Sequence, residues 1–372
     1  MKSYKYILGI QCFSNMDSGA SIVKCSTDGD FLDYVAISEE RLIRKKYPYT
    51  FPLFSIDYCM RYFNLKDINK IDLLVTDWIR LKKWKISGPS FNMGEFDYLK
   101  EIFKLDESKV RIITHHTAHA ASTYYTSNYK QAAILIVDGN GSDLETTSYF
   151  YGNKKKISFI ENYKRHGIGN CYNIVTNRIL NMGIGGEGKT MGLAPYGKKY
   201  SKKNFFKIKY SLKKIKNDFS EFMTRMPYSD VLNQINSKYR PDSIKIKYKK
   251  CKNKKDLTKP YFASVAYEVQ NVTEKTLIHL AKDLHKKTNS ENLCIAGGVG
   301  LNSVANKKIL DNKKFKNIFI FPACSDSGIP FGLAIWGYYN LKELNIKKYK
   351  KTHFDNAYLG SSYSRSEIFN FL

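Results

Sequence analysis

The chain has 372 residues and a formal net charge of +27, with 61 basic against 34 acidic residues. Apolar residues make up 43% and aromatics 14%, which excludes an intrinsically disordered chain, because such a sequence can bury enough apolar surface to offset the ordering of its backbone. Single cores stop growing at roughly 250 to 300 residues, so the length points to two lobes.

The charge first suggests a nucleic-acid partner. Of the 61 basic residues, however, only 10 are Arg, leaving 51 Lys, whereas nucleic-acid sites favour the planar, bidentate fork of Arg. Nucleic acid is therefore not the expected partner. The seven Cys (12, 25, 59, 171, 251, 294, 324) form no CxxC pair, which argues against both a zinc ribbon and a disulfide framework. The opening MKSYKYILGIQCFSN has only a short apolar run, and nowhere does an apolar run approach the ~18 residues of a membrane span. A cytoplasmic protein with no membrane partner is the expectation.

In chain order, YILGIQC, ASIVKC and FLDYVAIS read as buried strands separated by the turns SNMDSGAS and TDGD. EERLIRKK and the region from Phe51 to Phe63 read as helices, with Pro52 in a first turn. A second half begins with the strands IDLLVTD and VRIIT, then the segment THHTAHAA, the strand AAILIVDG and its partner TTSYFYG. Residues 198–259 carry KKYSKK, KIKYSLKKIK and KIKYKKCKNKK without apolar periodicity and read as a lysine-rich, mostly helical surface insertion. Helical spacing of Phe262, Val265, Val269, Val272, Leu277 and Leu280 predicts a long helix over 261–287. NLCIAGGVGLNSVANKKIL then reads as strand, glycine turn and helix, followed by NIFIFPACSDSGIPFGLAIWGYY. Strands alternating with helices predict an α/β architecture.

Four metal-competent side chains fall at the polar ends of apolar strand-like runs. His115 and His119 stand four residues apart, on one face of a helix; Asp138 ends AAILIVD, and Asp326 follows IFIFPACS. Imidazole and carboxylate ligands suit a borderline cation such as Zn, Mn or Fe(II). An HxxxH alone is more often structural than ligating. The two aspartates at matching positions shift the reading to a metal site.

Three glycine-bearing turns, SNMDSGAS, DGNGS and AGGVGLN, offer backbone N–H groups near strand and helix ends. None matches a dinucleotide or Walker pattern. Their distribution matches the layout of the actin, sugar-kinase and Hsp-seventy superfamily (ASKHA), where two phosphate hairpins and an adenosine turn surround a nucleotide cleft. GGEGKTMGLAPYG reads as a glycine-rich segment too irregular for a core helix, with Lys189 available to neutralise a phosphate or adenylate.

The segments ISEERLIRKK, FPLFSIDYC, THHTAHAASTYYTS, AAILIVDGNG, EGKTMGLAPYG, ASVAYEVQNVTEKTL, CIAGGVGLNSVAN and PACSDSGIPFGLA resemble, in order, the O-carbamoyltransferases that include nodulation protein U and the enzymes that carbamoylate aminoglycosides and cephems. EGKTMGLAPYG is the most specific of them. The resemblance implies that carbamoyl phosphate and ATP yield a carbamoyl-adenylate, whose carbamoyl group passes to a hydroxyl of a small-molecule acceptor. It also implies a metal, usually iron in the family, on His115, His119, Asp138 and Asp326, the same four residues that the pattern alone singles out. Such a cation would polarise the carbamoyl oxygen. Family roles toward the adenylate fall on Ser18, Lys46, Gly139, Gly141, Glu187, Gly188, Lys189, Gly297, Gly298 and Asn302.

Two departures from the family pattern stand out. Where the family commonly reads His-Asp-Ser, this chain has Met16-Asp17-Ser18, and methionine cannot take a proton; either Asp17 or a residue elsewhere is then the base, or the acceptor differs, or the activity is reduced. The C-terminal FDNAYLGSSYSRSEIFNFL resembles the point where family members continue into an adenylate-forming domain. A truncated, split or inactive family member is the corresponding expectation, with a separate C-terminal-domain subunit as a partner. The division expected is 1–110 for a first lobe, 111–197 with 260–350 for a second, 198–259 for the insertion, and 351–372 for the start of a further domain. Two other readings are a tRNA threonylcarbamoyl-adenosine synthase-like transferase, against which EGKTMGLAPYG and EERLIRKK weigh, and a non-catalytic nucleotide-binding subunit.

Overall fold

The computed structural model describes residues 4–12, 17–48, 50–77, 104, 106–142, 145–164, 167–200, 250–340, 354 and 358–372. Among these described residues, ten strands form two five-stranded sheets. The first holds β1 (Tyr4–Gln11), β2 (Gly19–Ser26), β3 (Phe31–Ser38), β4 (Leu73–Thr76) and β5 (Val110–Ile112) in the order β3-β2-β1-β4-β5. The second holds β6 (Gln131–Val137), β7 (Glu145–Asn153), β8 (Lys156–Lys164), β9 (Asn292–Ala296) and β10 (Asn317–Ile320) in the order β8-β7-β6-β9-β10. In each sheet the leading strand pairs antiparallel with its hairpin partner and parallel with the next strand out. One topology thus occurs twice, a duplicated α/β arrangement.

The helices are α1 (Glu39–Ile43), α2 (Leu53–Tyr62), α3 (His115–Thr126), α4 (Ile168–Ile174), α5 (Glu187–Gly197), α6 (Pro260–Thr288), α7 (Ser303–Asp311), α8 (Ile329–Asn340) and α9 (Arg365–Phe371). Strand alternation sorts the side chains into three cores. On β1, Leu8 and Ile10 face an outer core with Ile56 and Cys59 of α2, whereas Ile7 faces a central one. On β6, Ile134 and Ile136 face that same central core, and Leu135 and Val137 face an outer one with Val265 and Val269 of α6. The layers therefore run helix, sheet, helices, sheet, helix, and α3 and α8 fill the middle.

That middle position explains the composition of both helices. IPFGLAIWGYYN is apolar on nearly all sides, as a helix enclosed on every face must be, and Tyr339 stacks on Tyr125 of α3 at 4.1 Å between ring centroids. The first turn of α2 is fixed by buried Glu39, whose carboxylate accepts from Phe54 N, Ser55 N and Ser55 Oγ at 3.2, 2.7 and 2.6 Å.

Several expectations need correction. EGKTMGLAPYG is not irregular but forms the eleven-residue α5. Gly197 allows a close approach of α6 that overrides poor helix propensity: a Cβ there would lie 1.8 Å from the Ala263 carbonyl oxygen. The helix of EERLIRKK stops at Ile43, because Arg44 turns left-handed at φ 59°. VRIIT is not a buried strand; β5 is a half-exposed sheet edge. β8 and α4 carried no recognised sequence signal. The long helix runs Pro260–Thr288, close to expectation. Of the lysine-rich insertion, 201–249 lie outside the described residues, and its ends form the short turns Lys198–Tyr200 and Lys254–Thr258. The seven cysteines are buried thiols, none of them in a disulfide. No described helix is long and apolar enough to cross a membrane.

Candidate functional site

The site lies between the sheets, at the start of α3. Thr114 caps that helix by accepting from Thr117 N at 3.2 Å, so His115 opens the first turn and His119 sits one turn later on the same face. Asp138 immediately follows β6, and Asp326 begins the short 3-10 turn leading into α8. The strand-end position expected for all four therefore holds strictly only for Asp138; the others occupy helix starts and turns.

These four residues each offer one ligand atom, and the atoms all lie within 4.8 Å of one another. His115 Nε2 is 3.2 Å from Asp138 Oδ2 and 3.5 Å from Asp326 Oδ1. His119 Nε2 is 3.3 and 3.6 Å from the same two oxygens. On its other side His115 Nδ1 stands 2.7 Å from Asp77 Oδ2 at the end of β4. Asp138 is held likewise: its Oδ1 accepts from Gly139 N at 2.7 Å and Gly298 N at 3.0 Å, which leaves Oδ2 for the histidines.

Electrostatically the cluster favours an added positive charge. Burial disfavours the imidazolium of His115, but the Asp326 charge and hydrogen bonds to Asp138, Asp326 and Asp77 hold it well above its ordinary range. Burial pushes Asp326 up, but the charge of His115 and bonds from both histidines bring it down to about 2. His119 Nδ1 is buried without a hydrogen-bond partner, and its Nε2 faces only the two carboxylates, at 3.3 and 3.6 Å. Two imidazoles and two carboxylates converging in this way fit a divalent transition cation. His116 faces away, with Nδ1 at 2.6 Å from Ser148 Oγ, and burial keeps it neutral.

The other residues singled out by sequence distribute around this centre. Ser18 is buried with its Oγ unpartnered. Asp17 adjoins it, and burial together with the Asp326 and Glu40 charges pushes its carboxyl up to about 7. Met16 lies outside the described residues. Lys46 is exposed and 3.7 Å from Glu40. Lys189 is exposed on the first turn of α5, its ammonium 3.5 Å from the Met182 carbonyl. Glu187 accepts from Asn173 Nδ2 at 2.8 Å, and Gly188 beside it borders open space.

The glycine turns act partly on the cluster itself. Besides the Gly139 and Gly298 bonds to Asp138, Gly141 N donates to Glu145 O and Gly297 N to Cys324 O, at 2.7 and 2.8 Å. Gly297 adopts φ +93°, and a Cβ there would lie 2.3 Å from the Val137 carbonyl oxygen. Asn302 caps α7 through Ala305 N and pairs with Gln270 of α6 at 2.9 and 3.0 Å. Gln270 in turn meets Tyr172 and Glu274, and Lys308 pairs with Glu274.

Sequence reasoning missed Asp77. IDLLVTD ends on an aspartate just as AAILIVD does, so the signal was present, but nothing in it links Asp77 to His115.

A family model described as carbamoyltransferase N-terminus matches residues 6–335. An uncharacterized protein of Synechocystis sp., sll1178, is 32% identical over 399 aligned residues, covering 99% of this chain and 62% of that protein. Nodulation protein NolNO of Sinorhizobium fredii is 27% identical over 337 residues, covering 86% of this chain and 46% of that protein. The chain thus spans 46% to 62% of the length of these two relatives. Among solved structures, Acidaminococcus fermentans (R)-2-hydroxyglutaryl-CoA dehydratase component A is similar at a TM-score of 0.43 and 13% identity, covering 90% of this chain and 98% of that one. T. kodakarensis HypF is similar at a TM-score of 0.43 and 14% identity, covering 92% and 48%. With a match that extends from β1 into α8 and takes in every residue of the His and Asp cluster, the chain belongs to the carbamoyltransferase N-terminus family.

Proposed function

We propose that this chain catalyses the transfer half of an O-carbamoylation: the carbamoyl group of carbamoyl-adenylate, made from carbamoyl phosphate and ATP, passes to a hydroxyl of a sugar or other small-molecule acceptor. The observation that carries the reading is the buried cluster of His115, His119, Asp138 and Asp326, set between the two five-stranded sheets of a chain that belongs to the carbamoyltransferase N-terminus family. These four would hold a divalent transition metal, Fe(II) in the first instance with Mn or Zn as alternatives. When bound, that cation supplies Lewis acidity toward the carbamoyl oxygen.

The chain's own residues supply the rest. The acceptor oxygen attacks the carbamoyl carbon, the bond from that carbon to the phosphate oxygen breaks, and AMP leaves with the electron pair. Asp17 takes the hydroxyl proton; a carboxyl poised at about 7 is matched to general-base work near neutral pH. Asp138 and His115 are held in place by Gly139, Gly298 and Asp77, so little reorganisation is left for the reaction itself. Ser18, with its unpartnered Oγ, and the cations Lys46 and Lys189 would meet the phosphate. The first turn of α5 at Glu187 and Gly188, together with Gly139, Gly141, Gly297, Gly298 and Asn302, lines the nucleotide's approach; glycine there lets a ligand come close to the backbone. In this reading the adenylate-forming step belongs to the further length that the relatives have, on the same polypeptide or on a separate subunit.

The test is single-turnover AMP release and product mass. Purified chain loaded with Fe(II) is mixed with carbamoyl-adenylate and a panel of sugars, with His119→Ala as control. Carbamoylated sugar with stoichiometric AMP, lost in the variant, supports the proposal. AMP release no faster than in buffer, with Fe(II), Mn(II) or Zn(II), refutes it.

A further inference from the structure

Beside the four-residue cluster lies a second set of buried polar atoms that no bond within the protein satisfies. Gln11 ends β1 with no exposure at all, and neither its Nε2 nor its Oε1 has a hydrogen-bond partner. Asp77, also buried, commits Oδ2 to His115 and leaves Oδ1 unpartnered. A buried carboxamide without partners is rare in folded proteins, and each orphaned group costs about 1–3 kcal/mol.

The sheet register brings the two together. β1 and β4 run parallel with Ile10 opposite Thr76, so the next rung sets Gln11 beside Asp77, about 4.8 Å away across the strands. Both project toward the central layer. Ile7 and Gly9 share the face of Gln11; Ile7 packs in the central core, and a Cβ on Gly9 would strike the Pro330 carbonyl at 2.1 Å. Val75 likewise shares the face of Asp77 and packs in that core. Gln11 thus sits one strand from the carboxylate that anchors His115.

The unsatisfied atoms are one N–H donor group and two acceptors. A carbamoyl group presents the complementary set, a carbonyl acceptor and an NH2 donor in one plane. We infer that Gln11 and Asp77 form the subsite for the amide end of the carbamoyl group. Gln11 pairs with it as two primary amides pair, Nε2 donating to the carbonyl oxygen and Oε1 accepting one N–H, while Asp77 Oδ1 accepts the other. Gln11 is then the residue that distinguishes a carbamoyl from an acetyl donor, because a methyl group in place of NH2 would leave both acceptors buried and unpaired. Sites built to bond a substrate N–H or O–H reject analogues that lack it far more strongly than apolar pockets reject a missing methylene.

The inference rests on the carbamoyl-adenylate reading, and its test separates the two. Two stable probes, 5′-O-carbamoyladenosine and 5′-O-acetyladenosine, differ only by NH2 against CH3. Their dissociation constants are measured calorimetrically on the full chain, together with Gln11→Met, which keeps length and removes both polar atoms, and Gln11→Glu, which cannot donate. The expected result is a preference for the carbamoyl probe of about tenfold or more, falling to within about twofold in Gln11→Met with acetyl-probe affinity retained. Should Gln11→Met not fold, loss of the preference in Gln11→Glu serves instead. Equal binding of both probes by the unmodified chain overturns the subsite while leaving nucleotide binding intact. A preference that survives the substitution also overturns it. Binding of neither probe removes the underlying carbamoyl-adenylate reading as well.

Discussion

Asp77 Oδ2 stands 2.7 Å from Nδ1 of His115, and both side chains are buried. With a cation bound, Nδ1 would keep its proton toward Asp77, and Nε2, the nitrogen turned toward Asp138 and Asp326, would give up its own to act as ligand. Removing this support through Asp77→Asn should weaken transition-metal binding by about 10–100-fold. Competition against a chromophoric chelator measures the change, and unaltered affinity would show that His115 needs no partner.

His119 Nε2 faces the carboxylates of Asp138 and Asp326 at 3.3 and 3.6 Å, and its Nδ1 has no hydrogen-bond partner, so in the proposed site its contribution is a ligand nitrogen. His119→Ala should therefore lower bound metal by at least about tenfold, read by elemental analysis after reconstitution. Metal content equal to that of the unmodified chain sinks the assignment.

Gly297 combines φ +93° with a backbone oxygen 2.3 Å from where a Cβ would be. Gly297→Ala should destabilise the fold by about 1–3 kcal/mol, seen as a lower denaturant midpoint. It should also disturb the neighbouring Gly298 bond to Asp138 and so reduce metal binding. A normal midpoint would show that the turn relaxes without cost.

The Asp17 carboxyl is raised to about 7 by burial and by the Asp326 and Glu40 charges, so the sign of its pH dependence is fixed. Its folded-state value lies above the unfolded one, so stability is lost progressively as pH rises from about 4 to about 7, and the loss levels off above that. In metal-free chain, Asp17→Asn should raise the melting temperature at pH 8 and change it little at pH 4. If Asp17 is the base, transfer should increase with pH along a limb that ends near or below 7, since a cation beside Asp326 lowers the value, and that limb should vanish in Asp17→Asn. A pH-rate profile identical in the variant assigns the base elsewhere.

The sequence by itself determined the α/β class, most of the strands, the long helix now seen at Pro260–Thr288, and the four cluster residues. It could do so because these are local signals: alternation of two, spacing of four on a helix face, an acidic residue closing an apolar run. What it could not determine is which residues hold those four in place. Asp77 and His115 are 38 positions apart, and Gly298 and Asp138 are 160 apart; only the pairing of β4 with β5 and of β6 with β9 brings such partners into reach. EGKTMGLAPYG was misjudged for the same reason. Its residues favour a loop in isolation, and the close approach of α6 makes it a helix. The site's chemistry is legible in residue types, but its preorganisation belongs to the sheet register, which is a property of the folded chain alone.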